Sequence, residues 1–317
     1  MSSIGQYDRG LVRDLKGRSF TRVADWSPQE LLQVLDLADD LKRKQQAREE
    51  HRLLPGRTLG MIFQKPSTRT RVSFEVGIYQ LGGAGLYLSA GDLQLGRGET
   101  IKDTAIVLSR YLDAIMIRTF AQTDVEELAA NASIPVINGL TDSSHPCQAL
   151  ADVMTIRERF GRLEGLKVAY LGDGNNVCAS LMVACAKLGM DFASATPASY
   201  RPAEEAVRIA REAGGSVELT DDPRTAVAGA DVLYTDVWTS MGQDAEREER
   251  LRDLAGYGID ADLVRQASDK AIVLHCLPAH YGEEITEDVL YGPQSAVWDE
   301  AENRLHAQKA LMALVIR

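Results

Sequence analysis

The sequence predicts an α/β protein of two domains, each a mostly parallel sheet flanked by helices. Three observations lead there. Short apolar runs alternate with segments of helical spacing along the chain. The alternation begins twice, at RTLGMIF (57–63) and again at LKVAYLGDG (166–174). At 317 residues the chain also exceeds one domain of ordinary size.

The elements follow in order. Ser27-Pro28-Gln29-Glu30 ahead of LLQVLDLADDLKRK reads as a capped helix, with Ser27 as N-cap, Pro28 at the first helical position and Glu30 closing a capping box. RTLGMIF is a strand, and the polar stretch KPSTRTR opens a helix that runs to Leu81 and stops at Gly82-Gly83. AGLYLSA (84–90) is a second strand, followed by a Gly-rich polar loop to about Glu99 and a helix over DTAIVLSRYL (103–112). Strand AIMIR (114–118), a helix at 124–131 and strand IPVING (134–139) complete the first domain.

HPCQALADVMTIRERFG (145–161) has helical periodicity. Beyond it LKVAYLG, DFASATP, ADVLYTD and KAIVLHCLP (270–278) fit strands of the second sheet. WDEAENRLHAQKALMALVIR (298–317) predicts an amphipathic terminal helix. The expected division gives residues 1–144, joined by the C-terminal helix 299–317, to one domain and 145–298 to the other, with linking helices crossing between them.

Composition narrows the function. With 35 Lys+Arg against 46 Asp+Glu the net charge is −11, which opposes binding to nucleic acid or anionic membranes. Any anion site must be a local concentration of positive charge. The four cysteines, Cys147, Cys178, Cys185 and Cys276, lack metal-ligand or disulfide-framework spacing, so no metal is expected. The N-terminus has no apolar signal core and no run approaches a membrane span, so a cytoplasmic protein is expected.

Five polar motifs stand at strand ends. In KPSTRTR, residues Ser67, Thr68, Arg69, Thr70 and Arg71 fall where a strand gives way to a helix. Backbone N–H groups, the positive helix terminus, hydroxyls and a guanidinium converge there, as a phosphate requires. A capped helix with solvated arginines is the alternative. GDGNN (172–176) resembles a dinucleotide loop, but Val177 replaces the third glycine and no acidic residue ends the next strand, which argues against NAD. HPCQ sets His145 and Gln148 one helical turn apart, facing one ligand carbonyl or merely capping a helix. Cys276 in LHCLP ends an apolar strand, as a site residue or a small buried hydrophobe. Asp236 in DVWTSMG stands at the same sheet edge.

Together KPSTRTR, HPCQ, GDGNN, DVWTSMG and HCLP occur in an order that resembles the aspartate/ornithine carbamoyltransferase family, from about residue 5 to the C-terminus. The resemblance implies an N-terminal carbamoyl-phosphate-binding domain and a C-terminal amine-binding domain. The implied reaction passes the carbamoyl group of carbamoyl phosphate to an amine in arginine metabolism, without a cofactor. It carries Ser67, Thr68, Arg69 and Thr70 onto the phosphate segment. Arg118 corresponds to a second arginine for phosphate and carbamoyl oxygen, His145 and Gln148 to the carbamoyl contacts, and Arg304 to an arginine from the terminal helix.

Gln94 matches a residue lent to a neighbouring subunit, which implies a homotrimer with shared active sites. Asn176, Asp236, Ser240 and Met241 match the positions that hold ornithine, and Cys276 and Leu277 those beside the side-chain nitrogen and carbamoyl group. Arg118, His145, Asp236 and Cys276 are the expected catalytic set. HCLP rather than HPLP, and an intact Ser240-Met241-Gly242, favour L-ornithine over aspartate or putrescine, with N-acetylornithine a further alternative amine. Tyr281 in HCLPAHYGEE stands where many bacterial members have arginine.

Overall fold

A computed structural model describes residues 13–89, 91, 93, 98–240 and 243–317. Among them the chain forms two units. One comprises the described residues up to 150 with 304–317, and the other those of 151–303.

The first unit holds strands β1 (Thr58–Phe63), β2 (Ala84–Ser89), β3 (Ala114–Arg118) and β4 (Val136–Leu140), all parallel, in the order β2-β1-β3-β4. Helices α1 (Pro28–Gln46), α2 (Thr68–Gln80), α3 (Ile101–Leu108) and α4 (Gln122–Asn131) accompany them. The second unit holds β5 (Lys167–Leu171), β6 (Asp191–Ala195), β7 (Val217–Thr220), β8 (Val232–Thr235) and β9 (Ile272–His275), again parallel, in the order β7-β6-β5-β8-β9. The chain changes unit inside α5 (Pro146–Phe160) and returns inside α12 (Val297–Val315). Between them lie α6 (Asn176–Lys187), α7 (Glu204–Glu212), α8 (Pro223–Val227), α9 (Arg247–Asp253), α10 (Ala261–Val264) and α11 (Glu287–Leu290).

Local chemistry sets the helix starts. At α1 the Glu30 N–H donates to Ser27 Oγ at 3.3 Å, and the Ser27 N–H to Glu30 Oε2 at 2.7 Å, so the capping box forms as its sequence predicts. Helix α3 begins two residues before the expected 103, because Thr100 Oγ1 accepts the Asp103 N–H at 3.0 Å. It also ends earlier, at Leu108.

Apolar burial holds each sheet. Ile62, Ile115, Ile117, Val125, Leu128 and Val136 pack in the first unit, and Leu171, Val227, Leu233, Val273 and Leu290 in the second. Each such side chain contributes about 1.5–3 kcal/mol of transfer free energy.

Two sequence expectations change here. Strand β7 was absent from the expected set: VELT is four residues long, sits at the sheet edge and is half-exposed, so it carries no apolar run. Helix α12 is not amphipathic but buried on nearly all sides, including Gln308 and Lys309. Lys309 Nζ lies 2.7 Å from His51 Nε2 and 2.8 Å from Gln80 Oε1, and burial lowers its pKa to about 8.

Candidate active site

In each parallel sheet the loops after adjacent strands leave from one edge, which gathers residues distant in sequence. In the first unit Phe63 of β1 is in register with Arg118 of β3, and Arg118 with Leu140 of β4. KPSTRTR, Arg118 and the loop to His145 therefore leave from neighbouring strand ends, flanking the point between β1 and β3 where strand order reverses.

Ser67 is the N-cap of α2, its Oγ accepting the Thr70 N–H at 3.2 Å; Thr68 and Arg69 are exposed on the first turn. Thr70 is buried, and its Oγ1 accepts from Arg304 Nη2 at 3.2 Å. Arg304 Nη1 donates to Gln148 Oε1. With its amide turned to satisfy both ends, Gln308 accepts from Arg304 Nε and Nη2, each at 3.2 Å, and donates to Ser73 Oγ. Gln308 was missed by sequence reasoning. Its one signal is the helical spacing of four residues from Arg304.

His145 is 5% exposed, and its carbonyl accepts the N–H groups of Gln148 at 3.1 Å and Ala149 at 3.2 Å as α5 begins. Burial first, then the Arg304, Arg118 and Arg69 guanidiniums, push its pKa well below the ordinary histidine range. The imidazole is therefore neutral, with three cations around it. The other two cations of KPSTRTR are engaged elsewhere: Lys65 pairs with Asp142 and lies 4.2 Å from the Phe120 ring centre, and Arg71 pairs with Glu75 and stacks on Tyr87. Neighbouring Cys147 is buried, its thiol pushed up to about 12, and donates to the Asn138 carbonyl.

In the second unit β5, β8 and β9 are adjacent, with Leu171 in register with Thr235 and Thr235 with His275. GDGNN, Asp236 and Cys276 thus share one sheet edge. Asp236 Oδ2 accepts from Asn175 Nδ2 at 2.7 Å, and Oδ1 from the Cys276 thiol and the Val237 N–H, both at 2.8 Å. Asn175 Oδ1 caps α6 through the N–H groups of Val177 and Cys178. Asn175, which sequence reasoning did not single out, thus holds Asp236, while Asn176 begins the helix half-buried. An asparagine just before an apolar helix was the available signal.

Asp173 pairs with Arg250, and burial raises it to about 6. Gly174 admits no side chain, since a Cβ there would lie 2.3 Å from the Pro202 nitrogen. Its role is close backbone approach. Ser240 is half-buried, its N–H donating to Gln243 Oε1 at 2.9 Å. Gln94 and Met241 lie outside the described residues. Burial and the adjacent Asp236 carboxylate push the Cys276 thiol well up, so it keeps its proton and donates a hydrogen bond to Asp236 rather than standing as a thiolate.

Leu277 has φ +60° and donates its N–H to His275 Nδ1 at 2.8 Å. The His275 proton must then sit on Nε2, which donates to Glu284 Oε1 at 3.1 Å. Tyr281 is exposed, its hydroxyl 3.2 Å from that of Tyr291.

Behind the strand end Glu300 Oε2 accepts the His275 N–H at 2.8 Å, and Oε1 the Tyr234 hydroxyl at 3.1 Å. Burial and the Asp152 carboxyl hold Glu300 well above the usual carboxylate range. The folded chain keeps a proton that the unfolded chain releases near pH 4.5, so stability falls as pH rises above that value until Glu300 ionises. The slope approaches about 1.4 kcal/mol per pH unit for one proton. Glu300→Gln is expected to flatten it, as read by urea unfolding across pH 5–8; an unaltered slope contradicts the assignment.

The family profile described as the Asp/Orn binding domain of aspartate/ornithine carbamoyltransferase matches residues 164–315, and that of the carbamoyl-P binding domain matches residues 18–158. The chain belongs to this family. Over 310 residues it is 58% identical to the ornithine carbamoyltransferase of Pyrococcus horikoshii, covering 96% of this chain and 98% of that protein. The ornithine carbamoyltransferase of Thermococcus kodakarensis is 57% identical over the same shares. Among solved structures, the ornithine carbamoyltransferase from Pyrococcus furiosus superposes with TM-score 0.93 at 57% identity, covering 96% of this chain and 99% of that one. The fold of this chain is therefore that of the solved ornithine carbamoyltransferase. Among the described residues no helix is long and apolar enough to cross a membrane.

Proposed function

We propose that this chain is an enzyme that transfers the carbamoyl group of carbamoyl phosphate to the δ-amine of L-ornithine, giving L-citrulline and phosphate. The observation that carries the reading is the neutral His145 amid Arg69, Arg118 and Arg304. Such a cluster suits a dianion bearing a polarisable carbonyl, with the imidazole donating a hydrogen bond without adding charge.

In this reading Arg69, Ser67, Thr68 and the N-terminus of α2 take the phosphate. Thr70, Arg118 and His145 donate to the carbamoyl oxygen, and Gln148 and Arg304 fix the group's orientation. A strong oxyanion donor is worth about 3–4 kcal/mol. Asp236 anchors ornithine's α-ammonium, Asn176, Ser240 and Met241 serve the rest of the amino-acid end, and Cys276 and Leu277 border the δ-nitrogen. The neutral δ-amine attacks the carbamoyl carbon, a C–N bond forms, the C–O bond to phosphate breaks, and the nitrogen's surplus proton leaves with the phosphate. Because the Cys276 thiol donates a hydrogen bond to Asp236, it acts by positioning rather than as a base.

The decisive experiment is citrulline formation from ornithine and carbamoyl phosphate, with putrescine, N-acetylornithine and aspartate as controls. Preference for a control amine overturns the ornithine reading. Arg69→Ala is expected to lower kcat/KM for carbamoyl phosphate at least tenfold, since Arg69 is exposed on the first turn of α2 where the phosphate is read to bind. Unchanged kinetics would remove it from the phosphate site.

The reading extends to a cytoplasmic homotrimer with shared sites, Gln94 reaching a neighbouring subunit. What supports association is the apolar surface of α2 and edge strand β2, where Val72, Val76, Tyr79, Leu86 and Tyr87 are exposed in the single chain. Light scattering in solution tests it, a monomeric mass being the contrary result.

A further inference from the structure

The segment after β9 makes a tight turn that the transfer chemistry does not use. His280, Glu283 and Glu284 come together because Gly282 adopts φ +82° and donates its N–H to the Ile285 carbonyl at 3.0 Å, while the Glu283 N–H donates to the His280 carbonyl at 3.1 Å. The turn is tied down by the Ile259 N–H, which donates to the Glu284 carbonyl at 2.9 Å. One ring nitrogen of His280 and one carboxylate oxygen each of Glu283 and Glu284 lie within 4.8 Å of one another, His280 Nδ1 being 4.0 Å from Glu283 Oε2 and 3.9 Å from Glu284 Oε2.

These three atoms are shielded from solvent, and none has a hydrogen-bond partner. The other oxygen of each carboxylate is engaged. Glu284 Oε1 accepts from His275 Nε2 at 3.1 Å and from the His280 N–H at 2.6 Å, and Glu283 Oε1 pairs with Arg247. The Glu284 side chain is 0% exposed, so an unsatisfied carboxylate oxygen there carries the full desolvation cost of a buried charge. His280 cannot relieve it as placed, because Nδ1 is 4.0 Å from Glu283 Oε2 and 3.9 Å from Glu284 Oε2, beyond hydrogen-bond range.

A cation at the centre of the triangle relieves both. With two sides of about 4 Å and the third no longer than 4.8 Å, a point about 2.3–2.5 Å from each atom exists, and a contraction of a few tenths of an ångström brings this to the metal–ligand distances of about 2.0–2.2 Å for imidazole and carboxylate. We propose that His280 Nδ1, Glu283 Oε2 and Glu284 Oε2 bind one divalent first-row transition-metal ion, zinc fitting best, with water completing the coordination. One nitrogen and two oxygens without thiolate exclude a site for soft monovalent copper, and the imidazole disfavours magnesium and calcium. The neighbouring set of Asp236, His275 and Cys276 is a poorer host, since both His275 ring nitrogens are already bonded.

Cobalt(II), a spectroscopic stand-in for zinc, separates the two sets. Titrated into the full chain, it is expected to bind at one equivalent with weak visible bands and no near-ultraviolet thiolate charge-transfer band. His280→Ala and Glu283→Gln should each weaken cobalt and zinc binding at least tenfold, while Cys276→Ala leaves it unchanged. Both variants alter partly exposed side chains, and circular dichroism verifies their folding. Failure of the wild-type chain to retain either ion, binding undiminished in both folded variants, or a thiolate band lost in Cys276→Ala overturns the proposal.

Discussion

Asp236→Ala is expected to lower kcat/KM for ornithine by about 10²–10³-fold, the equivalent of about 3–4 kcal/mol for removing one partner of a desolvated charge pair. The carboxylate is 6% exposed and receives three donors, Asn175 Nδ2, the Cys276 thiol and the Val237 N–H. Alanine orphans all three, at about 1–3 kcal/mol for each buried group left unsatisfied. The variant will therefore also melt earlier. Asp236→Asn separates the two effects, because it keeps the volume and one acceptor oxygen while removing the charge. It is expected to recover most of the lost stability and little of the ornithine use. Binding of inorganic phosphate should be unaltered in both variants, and an unchanged ornithine saturation curve in Asp236→Asn would falsify the anchoring role.

Arg304→Met should cost a comparable factor, about 10²–10³-fold in kcat/KM for carbamoyl phosphate. Arg304 is 4% exposed and its guanidinium serves Thr70 Oγ1, Gln148 Oε1 and the Gln308 amide at once. A planar fork can meet these directions together, whereas an ammonium is a point charge on a flexible stem. Arg304→Lys is accordingly expected to restore no more than a tenth of the activity. With one cation removed from beside His145, the imidazole pKa should also move back toward its ordinary value, which NMR titration of the ring protons reads. If Arg304→Met retained activity within threefold, or if the histidine titration were unmoved, the guanidinium would not be acting on the carbamoyl group.

Local features were legible wherever they depend on residues a turn or less apart. The capping box at Ser27 and Glu30 formed as read, and so did the strand-to-helix transition at Ser67. Strand β7 was not legible, since a short edge strand with one wet face carries no apolar run. The polar residues of α12 were read as a solvent-facing stripe because nothing in a helical wheel tells that Lys309 meets His51 and Gln80. The tie between Asn175 and Asp236 was not legible for the same reason, since it joins residues 61 positions apart in sequence.

The sequence by itself determined that two parallel sheets would form, and that hydroxyls, guanidiniums, an imidazole, a carboxylate and a thiol would stand at their strand ends. Those properties follow from periodicity, capping and the one-directional run of parallel strands. Only the tertiary structure decided the state of each group. Of the three cations in KPSTRTR it brought the charge of Arg69 to bear on His145 and paired Lys65 with Asp142 and Arg71 with Glu75. It also kept His145 neutral, made Cys276 a donor and left a carboxylate oxygen of Glu284 buried and unpaired. Charge state depends on desolvation and on neighbours brought from far along the chain, and neither exists until the chain has folded.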